Sequence, residues 1–355
     1  MDKIIFIKPI GKGSPSIYSH ELAKRLEKYS EIEIKQISTP LLSYHELFNF
    51  LKYLIKNYNT IIHFPFYYYA KFALFTRKSI ISVHDMWWVD YPYRDIYPNK
   101  RDKIFAKMDV KGIKRAIHII TPSVFSKNQL IDYLDINPQK ITVIYNGVDH
   151  SIFKPIIGQN PFNFDYILFV GSEQPRKNLK TLLEAFKILK QNPDFQNLKL
   201  VKVGGPETEN FRRQTLQDIN NKNLNGEVIF TGYIKEEDLP SIYSNARCFI
   251  SPSFCEGFGL PTVEAMACGC PVITSNTSAF PEIISDAGLM RNPLDARGFA
   301  DDIEMMLNDE SFRNFFIQKG IKRAKEFSWD IASKEMKKVY DSNLGKNEYS
   351  RSIKG

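Results

Sequence analysis

The sequence lacks any apolar run long enough to cross a bilayer, and it is poor in cysteine. Its opening segment, residues 1–7, has too few consecutive apolar residues for the core of a secretory signal peptide. We therefore expect a protein that stays in the cytosol. The four cysteines have spacings that fit neither a zinc ribbon nor a thioredoxin-type pair, so we expect reduced structural thiols.

Length and composition predict a folded protein of two domains. A chain of 355 residues is longer than one hydrophobic core usually organises. The net charge of +8 is confined to one half: residues 1–155 carry 23 basic and 14 acidic side chains (+9), and residues 156–355 carry 25 and 26 (−1). The basic half predicts an anionic partner, such as a phosphorylated acceptor or a membrane surface; a solvated basic face without a partner is the alternative.

Short apolar runs alternate with helical stretches, which is typical of βα units on a parallel sheet. Two such series are separated at 146–163 by a segment without clear periodicity. We predict domains at 1–155 and 156–329, with a helix near 330–345 that joins the first domain. The predicted strands are Lys3–Ile7, Ile32–Ile37, Ile61–His63, Ile80–His84, His118–Thr121, Ile141–Tyr145, Tyr166–Gly171, Lys199–Val203, Val228–Thr231, Cys248–Ser251 and Pro271–Thr274.

The strongest local motif is the segment 256–269, which follows a predicted strand and begins a helix. Pro261 suits the first helical turn and Gly269 suits the residue after the helix end, so we predict a helix at 261–268. The backbone amides of residues 260–263 would then be free to bind an anion.

Two carboxylates, Glu256 and Glu264, frame this turn and can accept hydrogen bonds from hydroxyl groups of a ligand. Gly257 and Gly259 have no Cβ and let the backbone approach a ligand closely. Taken alone, Glu264 is explained as well by an acidic side chain that complements the helix dipole. The whole string, however, resembles the E-x7-E signature of the retaining glycosyltransferases of family GT4.

Further segments resemble the same family. In the N-terminal half the likeness is to the mannosyltransferase-like subgroup of surface-polysaccharide biosynthesis. The resemblance implies an α/β fold of the GT-B class, with two facing Rossmann-like, doubly wound domains and a cleft between them. The segments that carry it are Val170–Leu179, Phe230–Tyr233, Ile144–Asp149 and Phe327–Trp329, and, for the subgroup, Ile61–Pro65 and Ser82–Met86.

The resemblance also implies roles at the donor. Glu256 should contact hydroxyl groups of the donor sugar, and Glu264 should hold the ribose. Arg176 and Lys177 should neutralise the departing diphosphate, although such a pair at a helix start is usually solvated. His84 should donate or accept a hydrogen bond at the donor sugar, although a lone histidine is more often structural. These are the catalytic assignments; the other donor-binding assignments are Glu264, Gly257, Phe258, Gly259, Leu260, Pro261, Thr262, Gly232, Tyr233, Gly13 and Ser172.

Three features of the sequence depart from common patterns of nucleotide-binding proteins. No Asp-x-Asp occurs, so no metal site is predicted, and helix amides with Arg176 and Lys177 stand in for the cation. Gly11-Lys12-Gly13 lacks the third glycine of a dinucleotide fingerprint, because Ser16 replaces it, which disfavours an oxidoreductase. Ser172 stands where the family often has an arginine, so Arg176 is expected to take over that contact.

The expected reaction is transfer of a hexose, with mannose from GDP-mannose as first choice, to a glycan or lipid-linked acceptor in surface polysaccharide or glycoconjugate synthesis. A UDP-hexose donor for glucosyl, galactosyl or N-acetylhexosaminyl transfer is an alternative, as is a non-catalytic sugar-nucleotide-binding module. No cofactor is expected, because the nucleotide-diphosphate sugar is a substrate. No nucleic-acid partner is expected.

Aromatic residues are concentrated on the predicted acceptor side, at 64–72 and 87–97. Aromatic faces stack on sugar rings and also lie at membrane interfaces. Residues 100–115 combine basic and apolar side chains at helical spacing, which suits a helix on an anionic membrane surface. A helix packed on its own domain gives the same pattern and is the more common explanation. We expect an acceptor that is met at the inner face of the membrane.

Overall fold

A computed structural model of the chain describes residues 3–10, 14–38, 44–87, 100–158 and 160–352. The chain divides into two compact units, Met1–Gly147 with Trp329–Gly355, and Val148–Ser328. The predicted boundary at residue 155 lies inside the second unit, because Val148 pairs with Ser328 in an isolated parallel bridge and Phe153 packs against Tyr243.

The first unit contains a parallel sheet of six strands in the order β2-β1-β3-β4-β5-β6. Its strands are rich in β-branched residues that are buried on both faces, as in β1, which suits a parallel sheet covered on both sides. The bounds are β1 Ile4–Ile10, β2 Ile32–Ser38, β3 Ile61–Phe64, β4 Lys78–Ser82, β5 His118–Thr121 and β6 Ile141–Val143.

Helices of the first unit are α1 Ser14–Leu26, α2 Tyr44–Lys56, α3 Lys100–Arg115 and α4 Val124–Leu134, with a 3-10 helix at Tyr67–Phe75. The C-terminal helix Trp329–Ser352 belongs to this unit, and its Trp329, Met336 and Tyr340 lie in the same hydrophobic core as β1. Strand β4 ends before His84, contrary to the predicted Ile80–His84, because the carbonyl of His84 accepts a hydrogen bond from the Ser126 hydroxyl of α4.

The second unit has its own parallel sheet of six strands, in the order β12-β11-β10-β7-β8-β9. The strand order reverses between β7 and β10, and in such sheets the carboxyl ends of the strands at the reversal form the ligand site. The bounds are β7 Tyr166–Val170, β8 Lys199–Val203, β9 Val228–Gly232, β10 Phe249–Ser251, β11 Val272–Ser275 and β12 Leu289–Arg291, the last of which was not predicted.

Helices cover both faces of this sheet and close its core. The first of them, α5, begins after a left-handed Asn178 and buries Leu182 and Phe186 against the strands. Among the described residues, no helix has the length and apolar character needed to cross a membrane. The helices are α5 Leu179–Leu189, α6 Glu209–Asn221, α7 Leu239–Asn245, α8 Leu260–Ala267, α9 Phe280–Ile284, α10 Ala296–Asn308 and α11 Glu310–Ala324.

Candidate active site

The turns after β7 and β10 meet where the strand order of the second sheet reverses. The amide of Phe254 donates to the carbonyl of Arg176 at 2.8 Å, and the side-chain amide of Asn178 donates to the carbonyl of Pro252 at 2.9 Å. Two turns that are about 80 residues apart in sequence therefore form one surface at the end of the sheet.

Three of the predicted catalytic side chains converge on this surface. The Glu256 carboxylate lies 2.5 Å from the Lys177 ammonium through Oε1 and 3.2 Å from the Arg176 guanidinium through Oε2. The Ser253 hydroxyl donates to Oε1 at 2.9 Å, which helps to fix the carboxylate. We call Arg176, Lys177 and Glu256 the charged trio.

The charged trio is largely withdrawn from solvent, with Glu256 only 7% exposed. Burial opposes ionisation of Glu256, but the nearby Lys177 and Arg176 outweigh it and hold its pKa below the ordinary value. The carboxylate is therefore ionised at neutral pH. Two cations and one anion leave the trio with a net positive charge that suits a diphosphate.

Short local contacts position Arg176 within its turn. Its Nε donates to the side-chain oxygen of Gln174 at 2.7 Å, and its terminal nitrogen donates to the carbonyl of Cys255 at 3.1 Å. Asn178, which ends the 3-10 turn Pro175–Lys177, has a φ of 53° and is buried. Gln174 and Asn178 were not predicted as site residues. The asparagine after the Arg-Lys pair could have indicated a tight turn at this point, since asparagine tolerates the left-handed region.

Glu264 has a different partner from the charged trio. It projects from α8, is 7% exposed and accepts a hydrogen bond from the Tyr243 hydroxyl at 2.8 Å. Burial raises the pKa of Glu264 to about 7, although the hydrogen bond from Tyr243 acts in the opposite direction. Tyr243 was not predicted, because nothing near it in sequence marks it as a partner of α8.

The start of α8 is set by Gly259, whose φ is 85°. A Cβ at this position would lie 2.6 Å from the ring of Phe280, so both the backbone conformation and the space require glycine. Fewer amides are free than the sequence predicted: Pro261 has none, and the amide of Thr262 donates to the carbonyl of Gly259 at 2.9 Å. The helix start can therefore bind an anion through fewer groups than expected.

The remaining donor-binding assignments differ in what their side chains can reach. Phe258 packs edge-on against Phe327 in the interior, so only its backbone can face a ligand. Gly232 ends β9 with a φ of 71°, and the adjacent Tyr233 is 73% exposed. Ser172 is half-buried in the turn after β7. Gly257 is buried, Leu260 is half-buried, and Gly13 lies outside the described residues.

His84 belongs to the first unit, where a backbone carbonyl and two aromatic rings fix its side chain. Its Nε2 donates to the carbonyl of Pro65 at 2.9 Å, and its ring stacks on Phe66 and meets Tyr18 edge-on. Burial lowers the pKa of His84 to about 4, so the ring is neutral at pH 7. Because a carbonyl only accepts hydrogen bonds, Nε2 carries the proton, and Nδ1 is left as an acceptor for a ligand hydroxyl.

Two parallel sheets of the doubly wound type, with a cationic site at the strand reversal of the second, suit a protein that binds a phosphorylated ligand. The model for "Glycosyl transferases group 1" matches residues 155–323, and that for "Glycosyltransferase Family 4" matches residues 16–152. The chain belongs to glycosyltransferase family 4 and is an enzyme of this kind.

Two curated relatives of this chain are mannosyltransferases by name. The chain is 29% identical to O-antigen chain mannosyltransferase B of Escherichia coli over 74% of this chain and 70% of that protein. It is 31% identical to O-antigen chain mannosyltransferase RfbU of Salmonella typhimurium over 64% of this chain and 60% of that protein. The chain thus spans less than two thirds of the length of the second relative.

Solved structures support the fold alone, because their identity to this chain is low. Sucrose-phosphate synthase of Thermosynechococcus elongatus superposes with a TM-score of 0.77 at 21% identity, covering 97% of this chain and all of that one. HepE of Anabaena, solved in complex with UDP and glucose, gives a TM-score of 0.77 at 18% identity, covering 96% of this chain and all of that one.

Proposed function

We propose that the chain transfers mannose from GDP-mannose, with retention of anomeric configuration, to a glycan or lipid-linked acceptor of surface-polysaccharide synthesis. The observation that carries the proposal is the convergence of Arg176 and Lys177 on Glu256 at the strand reversal of the second sheet. The mannosyltransferase relatives favour this sugar and this class of product.

In the proposed reaction the bond between the anomeric carbon and the diphosphate oxygen breaks, and a bond to the acceptor oxygen forms on the same face of the sugar. The acceptor proton passes to the departing diphosphate. Negative charge grows on that diphosphate in the transition state, where Arg176 and Lys177 offset it in a site that is already organised. Glu256 then exchanges part of its contact with these cations for hydroxyl groups of the sugar.

Glu264 is proposed to hold the ribose of the nucleotide. Tyr243 fixes the carboxyl group by donating to Oε2 at 2.8 Å, so Oε1 remains to accept a hydrogen bond from a ribose hydroxyl. His84 is proposed to accept a hydrogen bond from the sugar through Nδ1. This role of His84 does not require its ring to gain or lose a proton in the reaction.

A screen of sugar nucleotides tests the donor. Thermal melting of the purified chain with GDP-mannose, UDP-glucose, UDP-galactose and UDP-N-acetylglucosamine should show the largest increase in melting temperature with GDP-mannose. Release of GDP from GDP-mannose, with mannose appearing on a lipid-linked glycan acceptor, should follow. A larger shift with a UDP-sugar would replace GDP-mannose as the donor, and binding without any nucleotide release would favour the non-catalytic module.

The first unit offers a surface for the proposed membrane contact. Helix α3 packs closely on the 3-10 helix Tyr67–Phe75, since a Cβ at Gly112 would lie within 1.8 Å of the Ala70 carbonyl oxygen. Packing on its own domain therefore explains one face of α3. Phe105 lies on this packed side, with its ring 5.6 Å from the Lys71 ammonium, and is 40% exposed. Ile104 points away from the 3-10 helix and is 57% exposed.

Lysines accompany Ile104 on the outward side of α3. Lys103, Lys107 and Lys111 are exposed, so the same face offers both positive charge and apolar area, which suits anionic lipid. The proposed location is the inner face of the cytoplasmic membrane, where a lipid-linked acceptor would be met.

Flotation with liposomes tests this surface. Wild-type protein should float with vesicles of phosphatidylglycerol at low salt, and the variant Ile104→Ser should float much less. Leu216→Ser, which removes an apolar side chain that is 48% exposed on α6 of the second unit, is the matched control. If wild-type protein stays in the soluble fraction, the membrane contact is wrong.

A further inference from the structure

A buried ionic cluster lies behind the turns at the end of the second sheet. Lys202, on β8 beside the edge strand β9, is fully buried, and its ammonium group is 3.0 Å from the Glu173 carboxylate. Arg212 of α6 contacts the same carboxylate through two nitrogens, at 2.7 and 3.1 Å. We call Lys202, Glu173 and Arg212 the ionic cluster.

A gain in stability is a weak explanation for the ionic cluster. Removing an ammonium and a carboxylate group from water is costly, and apolar side chains of similar volume are often at least as stable in such places. The neighbours of Lys202 along β8, Val201 and Val203, are buried apolar residues, so a buried charged side chain is unusual in this part of the strand. Burial lowers the pKa of Lys202 in spite of Glu173, which reflects this cost.

The Lys202 ammonium also fixes the backbone of the turn after β8. It donates to the carbonyl of Gly204 at 2.6 Å and to that of Gly205 at 3.0 Å. With the contact to Glu173, these use the three hydrogen-bond donors of the ammonium group. Because C=O and N–H point in opposite directions in a trans peptide, a Gly204 carbonyl that faces Lys202 directs the Gly205 amide away from it.

The turn after β8 is in contact with both of its neighbours. The amide of Gly204 donates to the carbonyl of Gly232 at 2.7 Å, at the end of β9. On the other side, a Cβ at Gly204 would lie 2.8 Å from the carbonyl oxygen of Gly171, at the end of β7. The Arg212 guanidinium covers the ring of Phe230 at 4.1 Å. The ionic cluster therefore connects the turns after β7, β8 and β9.

Glu173 connects the ionic cluster to the charged trio. It is followed by Gln174, whose side-chain oxygen accepts from Nε of Arg176 at 2.7 Å. A movement of Glu173 would therefore displace the group that orients Arg176. The turn after β7 is thus held on one side by Lys202 and Arg212 and on the other by Glu256.

We propose that Lys202 and Glu173 are positioning residues that lock the turns after β7 and β8, so that Arg176 and the Gly204–Gly205 turn are preset for a nucleoside diphosphate. This inference rests on the proposed function for the identity of the ligand. The locking of the turns is a property of the protein without ligand.

The test replaces the buried pair by apolar residues in the double variant Glu173→Leu/Lys202→Leu. This change separates positioning from stability, because apolar replacement of a buried ion pair commonly maintains or raises the melting temperature. Arg212 is 24% exposed and can turn to solvent. The matched control is Arg291→Leu/Asp302→Leu, which removes another ion pair with a buried carboxylate, located at the opposite edge of the same sheet.

Hydrogen exchange of the protein without ligand, followed by mass spectrometry, tests the locking itself. In Glu173→Leu/Lys202→Leu the peptides that cover 171–178 and 204–208 should exchange faster than in wild type, and the control should leave them unchanged. Unchanged exchange in a folded double variant would overturn the inference, whatever the protein binds.

Calorimetric titration with GDP-mannose, and with UDP-glucose in parallel, tests the consequence for the donor. The dissociation constant should rise by about tenfold or more in the double variant and stay near the wild-type value in the control. Equal affinity in wild type and double variant, or an equal loss in the control, would overturn the positioning role. If wild type binds neither nucleotide sugar, the proposed function is wrong, and the exchange experiment still decides the locking.

Discussion

At the scale of single residues, the charged trio is ordered by its own contacts. Glu256 holds Lys177 and Arg176 at 2.5 and 3.2 Å, so the two long side chains are already ordered. Such ordering in advance would lower the entropic cost of binding the proposed diphosphate. Substitution of any member of the trio should therefore have a measurable effect on turnover.

Single substitutions in the charged trio should reduce turnover. Arg176→Ala and Lys177→Ala each remove one organised contact to the leaving diphosphate, and Glu256→Gln removes the charge that orders both cations, so kcat should fall about 100-fold in each variant. Arg297→Ala is the control, since Arg297 forms an exposed pair with Asp301. Steady-state release of GDP measures the effect; near-normal turnover in all three variants would refute the assigned roles.

The raised pKa of Glu264 should appear as a dependence of stability on pH. Its pKa is about 7 in the folded protein against an ordinary value of 4.5, so the folded state binds this proton more tightly than the unfolded state. Ionisation of Glu264 therefore reduces stability as the pH rises through this interval, and Glu264→Gln should gain melting temperature relative to wild type. Glu237→Gln, at a carboxylate that is 73% exposed, should not. A difference that is independent of pH would contradict the assignment.

The sequence predicted the charged trio more readily than the groups that support it. Arg176, Lys177 and Glu256 each lie in a turn directly after an apolar strand, so their place at one end of a parallel sheet follows from the pattern. Tyr243 and Ser253 have no such signal, because a hydroxyl in a helix or loop gains its role from a partner brought close by folding. Residues 88–99, which hold several aromatic residues of the predicted acceptor side, lie outside the described residues.

At the scale of secondary structure, α8 shows which boundaries could be predicted. The helix was expected at 261–268 from its proline and glycine, and it lies at 260–267. The left-handed Gly259 at its start and the contact with Phe280 depend on α9, which the apolar pattern did not indicate. The short strand β12 was missed for a similar reason, since three residues carry too little periodicity.

Replacement of Gly259 by alanine should therefore damage the second unit. The variant combines backbone strain with a collision against the buried Phe280 ring, and it should lose about 1–3 kcal/mol more unfolding free energy than a variant with strain alone. Gly226→Ala is that control, because Gly226 has a φ of 78° with open space around its Cβ position. Denaturant unfolding compares the two. Equal losses would mean that the Phe280 contact is unimportant.

At the scale of the whole molecule, the fold class was predictable and the exact division was not. Alternation of strands and helices, together with the family motifs, predicted two parallel sheets, and two are present. The first unit ends at Gly147 and not at residue 155, because the segment after Val148 packs on the second unit. The sequence of this segment has no pattern that predicts those contacts. The return of the C-terminal helix to the first unit places Tyr340 against the buried His63, at 2.6 Å.

Metal independence remains a prediction for the enzyme as a whole. Within the described ranges, no group of three His, Cys, Asp or Glu side chains could hold a metal ion. In the proposed reaction Arg176 and Lys177 would supply the positive charge that a metal would otherwise provide at the diphosphate. Transfer from GDP-mannose should persist after dialysis against EDTA. Loss of activity that returns on addition of magnesium or manganese would contradict this prediction.

The pairing of Glu256 with two cations has a consequence for selectivity among anions. Inorganic phosphate and free pyrophosphate must compete with a carboxylate that is tethered beside the cations and acts at a high effective concentration. Such ions offer nothing to the carboxylate that they displace. On the proposed function, a sugar nucleotide brings hydroxyl groups to that carboxylate as well as phosphates to the cations, so we expect the resting protein to bind it in preference to simple salts.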